Sequence, residues 1–264
     1  MIEAIISGII QGITAWIPVS SEGMIVLAKA KLFHSSLNMQ ELILRSLFLH
    51  LGTFSAALVY FRKDIAALIK AIFTFKQSSA ETKNTFLFLL LTTLISSILG
   101  LAIIWGIKHF SIYFQGSGKT LSILLSILLL MTAMRELRSK NEEKKKAESL
   151  KPGDGIMLGV AQGLAVLPGL SRSGTTIACL LMKRFDKTVS LRLSFLMSLP
   201  IIFTGNILFN LRKAQCSPEN LVSLIVSFVV GLFFINLLFK IASKVNFGFF
   251  VACFALLVLS SAFF

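Results

Sequence analysis

Two stretches of this 264-residue chain set hydroxyl groups beside helix-breaking residues, and one of them adds a cation. The first reads Gln11-Gly-Ile-Thr-Ala-Trp-Ile-Pro-Val-Ser-Ser-Glu-Gly23, and the second reads Gln162-Gly-Leu-Ala-Val-Leu-Pro-Gly-Leu-Ser-Arg-Ser-Gly174. Ser20, Ser21, Ser171, Ser173, Thr175 and Thr176 bring hydroxyls, Gln11 an amide and Arg172 a guanidinium. A helix that restarts after such a break presents free amides and the positive end of its dipole. The combination makes an anion site suited to phosphate or diphosphate. Ser20 or Ser21 could attack phosphorus, but a hydroxyl nucleophile needs a base within reach. Glu22 is the adjacent candidate; it reads equally as a helix N-terminal carboxylate favoured by the dipole. His50 sits inside an apolar run and reads as a packed polar residue, while His34 and His109 fall in or beside loops. Arg45 and Arg192 lie near the ends of apolar runs, where side chains reach for the membrane interface. Ser117-Gly-Lys-Thr120 matches part of a phosphate loop but lacks its upstream glycines and strand.

The elements that must hold these groups are hydrophobic. Some 55% of the residues are hydrophobic and only 14% charged, which excludes a soluble globular enzyme and a disordered chain. A span needs about 20 apolar residues. Candidate spans are 42–61, 86–106, 112–134, 188–209, 220–239 and 245–264, apolar all round and so helical. The segments 1–27 and 155–182 are instead broken near their middles. Gln-Gly, Pro and Ser-x-x-Gly recur about 150 residues apart, and Leu44-Arg-Ser-Leu-Phe-Leu49 is echoed by Leu191-Arg-Leu-Ser-Phe-Leu196. The chain therefore reads as a duplication: residues 1–134, a polar cytoplasmic linker 135–151, and residues 152–264. The net charge of +14 comes from membrane-flanking loops rather than a nucleic-acid surface. Segments 62–83, 135–151, 183–192 and 240–244 hold 18 Lys and Arg, against six in 29–41, 107–120 and 211–219. With the richer set inside, each broken segment enters and leaves by one face. The expected fold is an all-α integral membrane protein of six transmembrane helices plus two re-entrant hairpins in an inverted repeat. The hairpin tips then meet near the midplane. Three widely spaced cysteines suggest no disulfide framework, and Met1-Ile2-Glu3 lacks the basic start of a cleavable signal.

Pro168-Gly-Leu-Ser-Arg-Ser-Gly-Thr-Thr176 resembles the signature of the undecaprenyl-diphosphatase family, the bacitracin-resistance membrane phosphatases. Gly12-Ile-Thr with Ile17-Pro-Val-Ser-Ser21 resembles its other motif, and 47–53, 60–64 and 194–200 also look like family segments. The likeness spans both halves in order. It implies hydrolysis of polyprenyl diphosphate to the monophosphate lipid carrier of cell-wall synthesis, in the inner (plasma) membrane. It also implies a divalent cation, Mg or Ca, and is compatible with a homodimer. Ala15 stands where the family has a Glu expected to bind that cation, and Met24 where it usually has His. Gln11 is within the family's range. The resemblance favours a hydrolase; Ser20, Ser21 and Arg172 then read as catalytic together with Glu22, the adjacent acid, at a position where the family more often has a small residue. Gln11, Ser171, Arg172, Ser173, Thr175 and Thr176 would bind substrate. The departures favour a non-hydrolytic transporter or flippase of a polyprenyl phosphate, because an inverted repeat with midplane binding elements suits alternating access. A structural paralogue with a vestigial site is the third reading.

Overall fold

The computed structural model describes residues 1–17, 19–33, 39–109, 117–138, 144–167, 170–209, 217–244 and 247–261, and among these it is helical without strands. Helices stand at each of the six apolar runs: α3 Met39–Tyr60, α5 Ala80–His109, α6 Ser117–Arg138, α9 Lys187–Phe209, α10 Pro218–Lys244 and α11 Phe247–Ser261. Each broken segment gives two short helices, α1 Ile2–Thr14 with α2 Ser21–Leu32, and α7 Pro152–Leu164 with α8 Arg172–Met182. The remaining helix, α4 Arg62–Phe73, lies in a stretch that reads as a loop in the sequence. Three helices are long and apolar enough to cross a membrane, over Ala80–Gly106, Lys187–Leu208 and Pro218–Lys244. Their outward faces carry exposed apolar rows, Leu90, Leu94, Ile98, Leu101 and Trp105 on α5 and Leu221, Ile225, Val229 and Phe233 on α10. Such continuous rows belong against lipid. The chain is a membrane protein.

Glycine lets two pairs of helices approach closely, and the two pairs match. Gly8 and Gly12 press α1 onto α10, where added Cβ atoms would lie 2.8 Å from Val226 Cβ and 2.8 Å from Val230 Cβ. Gly159 and Gly163 press α7 onto α5, with the equivalent distances 2.8 Å to Ile95 Cβ and 3.0 Å to Leu99 Cβ. Real side chains do not fit at such distances, so both contacts depend on backbone meeting side chain, the small-residue mode of packing in lipid. Three buried hydroxyls are satisfied inside their own helices: Thr92 donates to Phe88 O at 2.6 Å, Ser126 to Ser122 O at 2.8 Å and Thr132 to Leu128 O at 2.8 Å.

Each short helix pair is clasped at its open end. Lys29 Nζ on α2 lies 3.1 Å from Glu3 Oε1 at the start of α1, and Lys183 Nζ just after α8 lies 3.3 Å from Asp154 Oδ1 at the start of α7. The first and last turns of each pair are therefore neighbours, which is the geometry of a helical hairpin. Arg192 departs from the reading of its sequence position. Instead of reaching outward alone, it donates to Glu81 Oε1 at 2.6 Å and to Asp64 Oδ1, tying α9 to α4 and α5. The end of the 135–151 segment is also less solvated than its composition suggests. Ala147 and Leu150 are buried with Phe88, Leu158, Phe185 and Leu193, and the Lys145 amide donates to Arg184 O at 2.8 Å.

Candidate active site

The second helix of each hairpin starts the same way. Ser20 caps α2 by accepting from the Gly23 amide at 3.2 Å, and Ser171 caps α8 by accepting from the Gly174 amide at 3.3 Å. Ser-x-x-Gly is thus a capping device in both copies, because serine oxygen satisfies an orphan amide of the first turn. Ser21 and Arg172 are then the first helical residues of α2 and α8. Equivalent positions at two helix N-termini carry a hydroxyl on one side and a guanidinium on the other.

The tips are joined. Ser173 Oγ donates to Ile17 O at 2.9 Å and Ser171 Oγ to Val19 O at 3.3 Å, so the second hairpin is hydrogen-bonded to the first across their breaks. Pro18, Pro168 and Gly169, which sequence assigns to the breaks, lie outside the described residues. Thr175 Oγ1 donates back to Ser171 O at 2.9 Å. Thr176 is fully buried and bonds Ser194 Oγ of α9 at 2.7 Å, which locks α8 against α9. Four of the hydroxyls expected to bind a ligand therefore also hold the tips and α8 in place.

Ser21 differs from all of these. Its Oγ lies 3.3 Å from His50 Nε2, and His50 Nδ1 lies 2.8 Å from the Ser46 carbonyl oxygen. A carbonyl only accepts, so Nδ1 carries the proton and Nε2 offers its lone pair to the Ser21 hydroxyl. Arg172 lies close enough for its charge to act on His50. Sequence reading takes His50 for a packed polar residue; the structure sets it against the hydroxyl of the hairpin. The available signal was its place in an apolar helix, where an ionisable side chain marks function by default. The Glu22 side chain, the base expected from sequence, lies outside the described residues, although its backbone is in the first turn of α2. Gln11 is fully buried, with Nε2 3.5 Å from Thr53 Oγ1 and no hydrogen-bond partner for Oε1 among the described residues.

The chain matches the family model described as bacitracin resistance protein BacA over residues 4–259. It belongs to that family. A relative from Methanococcoides burtonii named undecaprenyl-diphosphatase is 36% identical over 263 residues, covering 98% of this chain and 96% of its own. Relatives with the same name from Syntrophotalea carbinolica and Haloarcula marismortui are 33% and 32% identical, covering 92% and 94% of this chain and 90% and 92% of their own. The family resemblance implies a divalent cation, and the donors here can be tested against it. Ala15 is a buried methyl group and Gln11 a neutral amide. Among the described residues no three His, Cys, Asp or Glu side chains are grouped to hold a metal ion. Among the described residues, therefore, the donors at the tips do not by themselves make a divalent-cation site.

Proposed function

We propose that the chain hydrolyses a polyprenyl diphosphate, as the names of its BacA-family relatives imply for them, to the monophosphate lipid and inorganic phosphate. The observation that carries the reading is the Ser21 Oγ to His50 Nε2 contact of 3.3 Å with Arg172 nearby. It supplies the base whose apparent loss favours a non-hydrolytic transporter. Ser21 Oγ attacks the terminal phosphorus while its proton passes to His50 Nε2. The Oγ–P bond forms, and the bond from phosphorus to the bridging oxygen breaks, releasing the lipid monophosphate with its electron pair. His50 returns the proton to the leaving phosphate. It then takes a proton from the water that attacks phosphoserine; as the new P–O bond forms the P–Oγ bond breaks, and His50 passes that proton to Ser21 Oγ, freeing the serine and inorganic phosphate. Arg172 and the amides at the starts of α2 and α8 neutralise the charge gathered on the phosphoryl oxygens. Gln11 Oε1, a buried acceptor without a partner among the described residues, receives a donor from substrate or water.

Helices α1 and α7 each have 13 residues, about 20 Å at 1.5 Å per residue and too short for a core of about 30 Å. The clasps at the open ends support two re-entrant hairpins, and the matched glycine contacts support an inverted duplication with six spans. Basic residues favour 135–151 on the cytoplasmic face of the plasma membrane and 107–119 on the outer one. Single cysteines introduced into 107–119 should react with an impermeant thiol reagent in intact cells, and those in 135–151 should not; the reverse pattern rejects the topology. Function is tested with the purified chain in vesicles carrying polyprenyl diphosphate on one leaflet. Phosphate release supports hydrolysis. Transfer of the lipid between leaflets with no phosphate release rejects it and supports the transporter.

A further inference from the structure

We infer that α4 and the turn after it form a binding site for the headgroup of an acidic phospholipid. The helix reads Arg62-Lys-Asp-Ile-Ala-Ala-Leu-Ile-Lys-Ala-Ile-Phe73; it packs against α5, and its Ala71 is buried. Its other apolar face is largely open: Ile69, Ile72 and Phe73 are 54%, 60% and 83% exposed. Spaced three and four apart, these side chains form one stripe, and Lys63 and Lys70 border it on the same helix. Apolar bulk edged with lysine suits a helix lying in the membrane interface rather than in water.

Beside that stripe is a polar recess. Ala67, Lys70, Thr74, Gln77, Ser78 and Thr82 line a cavity of about 280 Å³. The Thr74 hydroxyl donates to Lys70 O at 2.9 Å and the Ser78 hydroxyl to Thr74 O at 3.1 Å, so the turn is held by its own bonds. The Lys70 ammonium has no ion-pair partner among the described residues, whereas the carboxylate of the helix, Asp64, is engaged by Arg192. Lys83, which reaches back to Lys76 O at 2.8 Å, adds further positive charge to the same turn. The occupant is fixed by the pairing of these surfaces. A free phosphate would use the recess alone; a phospholipid uses the recess for its phosphate and lays acyl chains along Ile69, Ile72 and Phe73. Continuity with α5, one of the membrane-crossing helices, puts that face at the level of the headgroups. This site is separate from the hairpin tips and does not depend on the hydrolytic reading.

The test uses the full chain in nanodiscs containing equal phosphatidylglycerol and phosphatidylcholine, with retained lipids identified by native mass spectrometry. The wild type should keep phosphatidylglycerol in preference, and Lys70→Glu should lower that preference about fivefold, equivalent to about 1 kcal/mol for one interfacial lysine. Ile72→Ser with Phe73→Ser should weaken retention of the same lipid. An unchanged preference in Lys70→Glu, equal retention of both lipids by wild type, or displacement by millimolar inorganic phosphate would each overturn the proposal. Equal thermal stability of wild type and Lys70→Glu in phosphatidylcholine alone separates loss of the site from loss of the fold.

Discussion

His50→Ala is expected to lower kcat for polyprenyl diphosphate by about 10²–10⁴-fold, the range for removing a positioned base. The reason lies in the two ends of one imidazole. Nδ1 is held at 2.8 Å by the Ser46 carbonyl, which fixes both the ring and its tautomer, and Nε2 faces Ser21 Oγ at 3.3 Å. His50→Gln is the sharper variant. An amide fills similar space and still bonds a hydroxyl, yet takes no proton, so kcat should fall nearly as far as in His50→Ala while KM changes little. The wild-type rate should rise with pH as the imidazole loses its proton, and this acid limb should vanish in both variants. A variant that keeps both its rate and the acid limb would assign the base elsewhere, with Glu22 first in line.

Arg172→Ala should cost about 10²–10³-fold in kcat/KM, comparable to removing a preorganised donor from a developing oxyanion. Arg172 is the first residue of α8, a helix start held by the Ser171 cap and the Ser173 bond to Ile17 O. Truncation should therefore leave the tip assembled, which circular dichroism and unchanged Tm would check. Arg172→Lys should recover part of the loss, since an ammonium supplies charge without a two-pronged contact to phosphate. Full activity in Arg172→Ala would place the phosphoryl group away from the tips.

Much of this architecture is legible in the residues themselves. All-round apolar runs locate six of the helices, three of them long and apolar enough to cross a membrane, and the Pro, Gly and Ser clusters locate the two breaks, because helix length and helix breakage are local properties. The hydroxyls at the tips are also legible, but not their division of labour. Ser20 and Ser171 look alike to Ser21 and Ser173 in sequence, and only capping geometry and cross-tip bonds separate them. His50 is missed for a different reason. It is 29 residues from Ser21 along the chain, and nothing local shows that α3 delivers it to the start of α2. The partners of Arg192, 111 and 128 residues away, are hidden in the same manner. Helix α4 escapes because its charged first turn reads as loop, although its later residues are amphipathic.

If Ser21 and His50 act as one catalytic unit, a double-mutant cycle on phosphate release will read their coupling. Groups that serve a single proton transfer are non-additive: once one is gone, the other has nothing left to do. Ser21→Ala, His50→Ala and the double variant should therefore share nearly the same residual kcat. A double variant slower than either single one by the product of the two separate losses would show that serine and histidine act independently, and would contradict the mechanism.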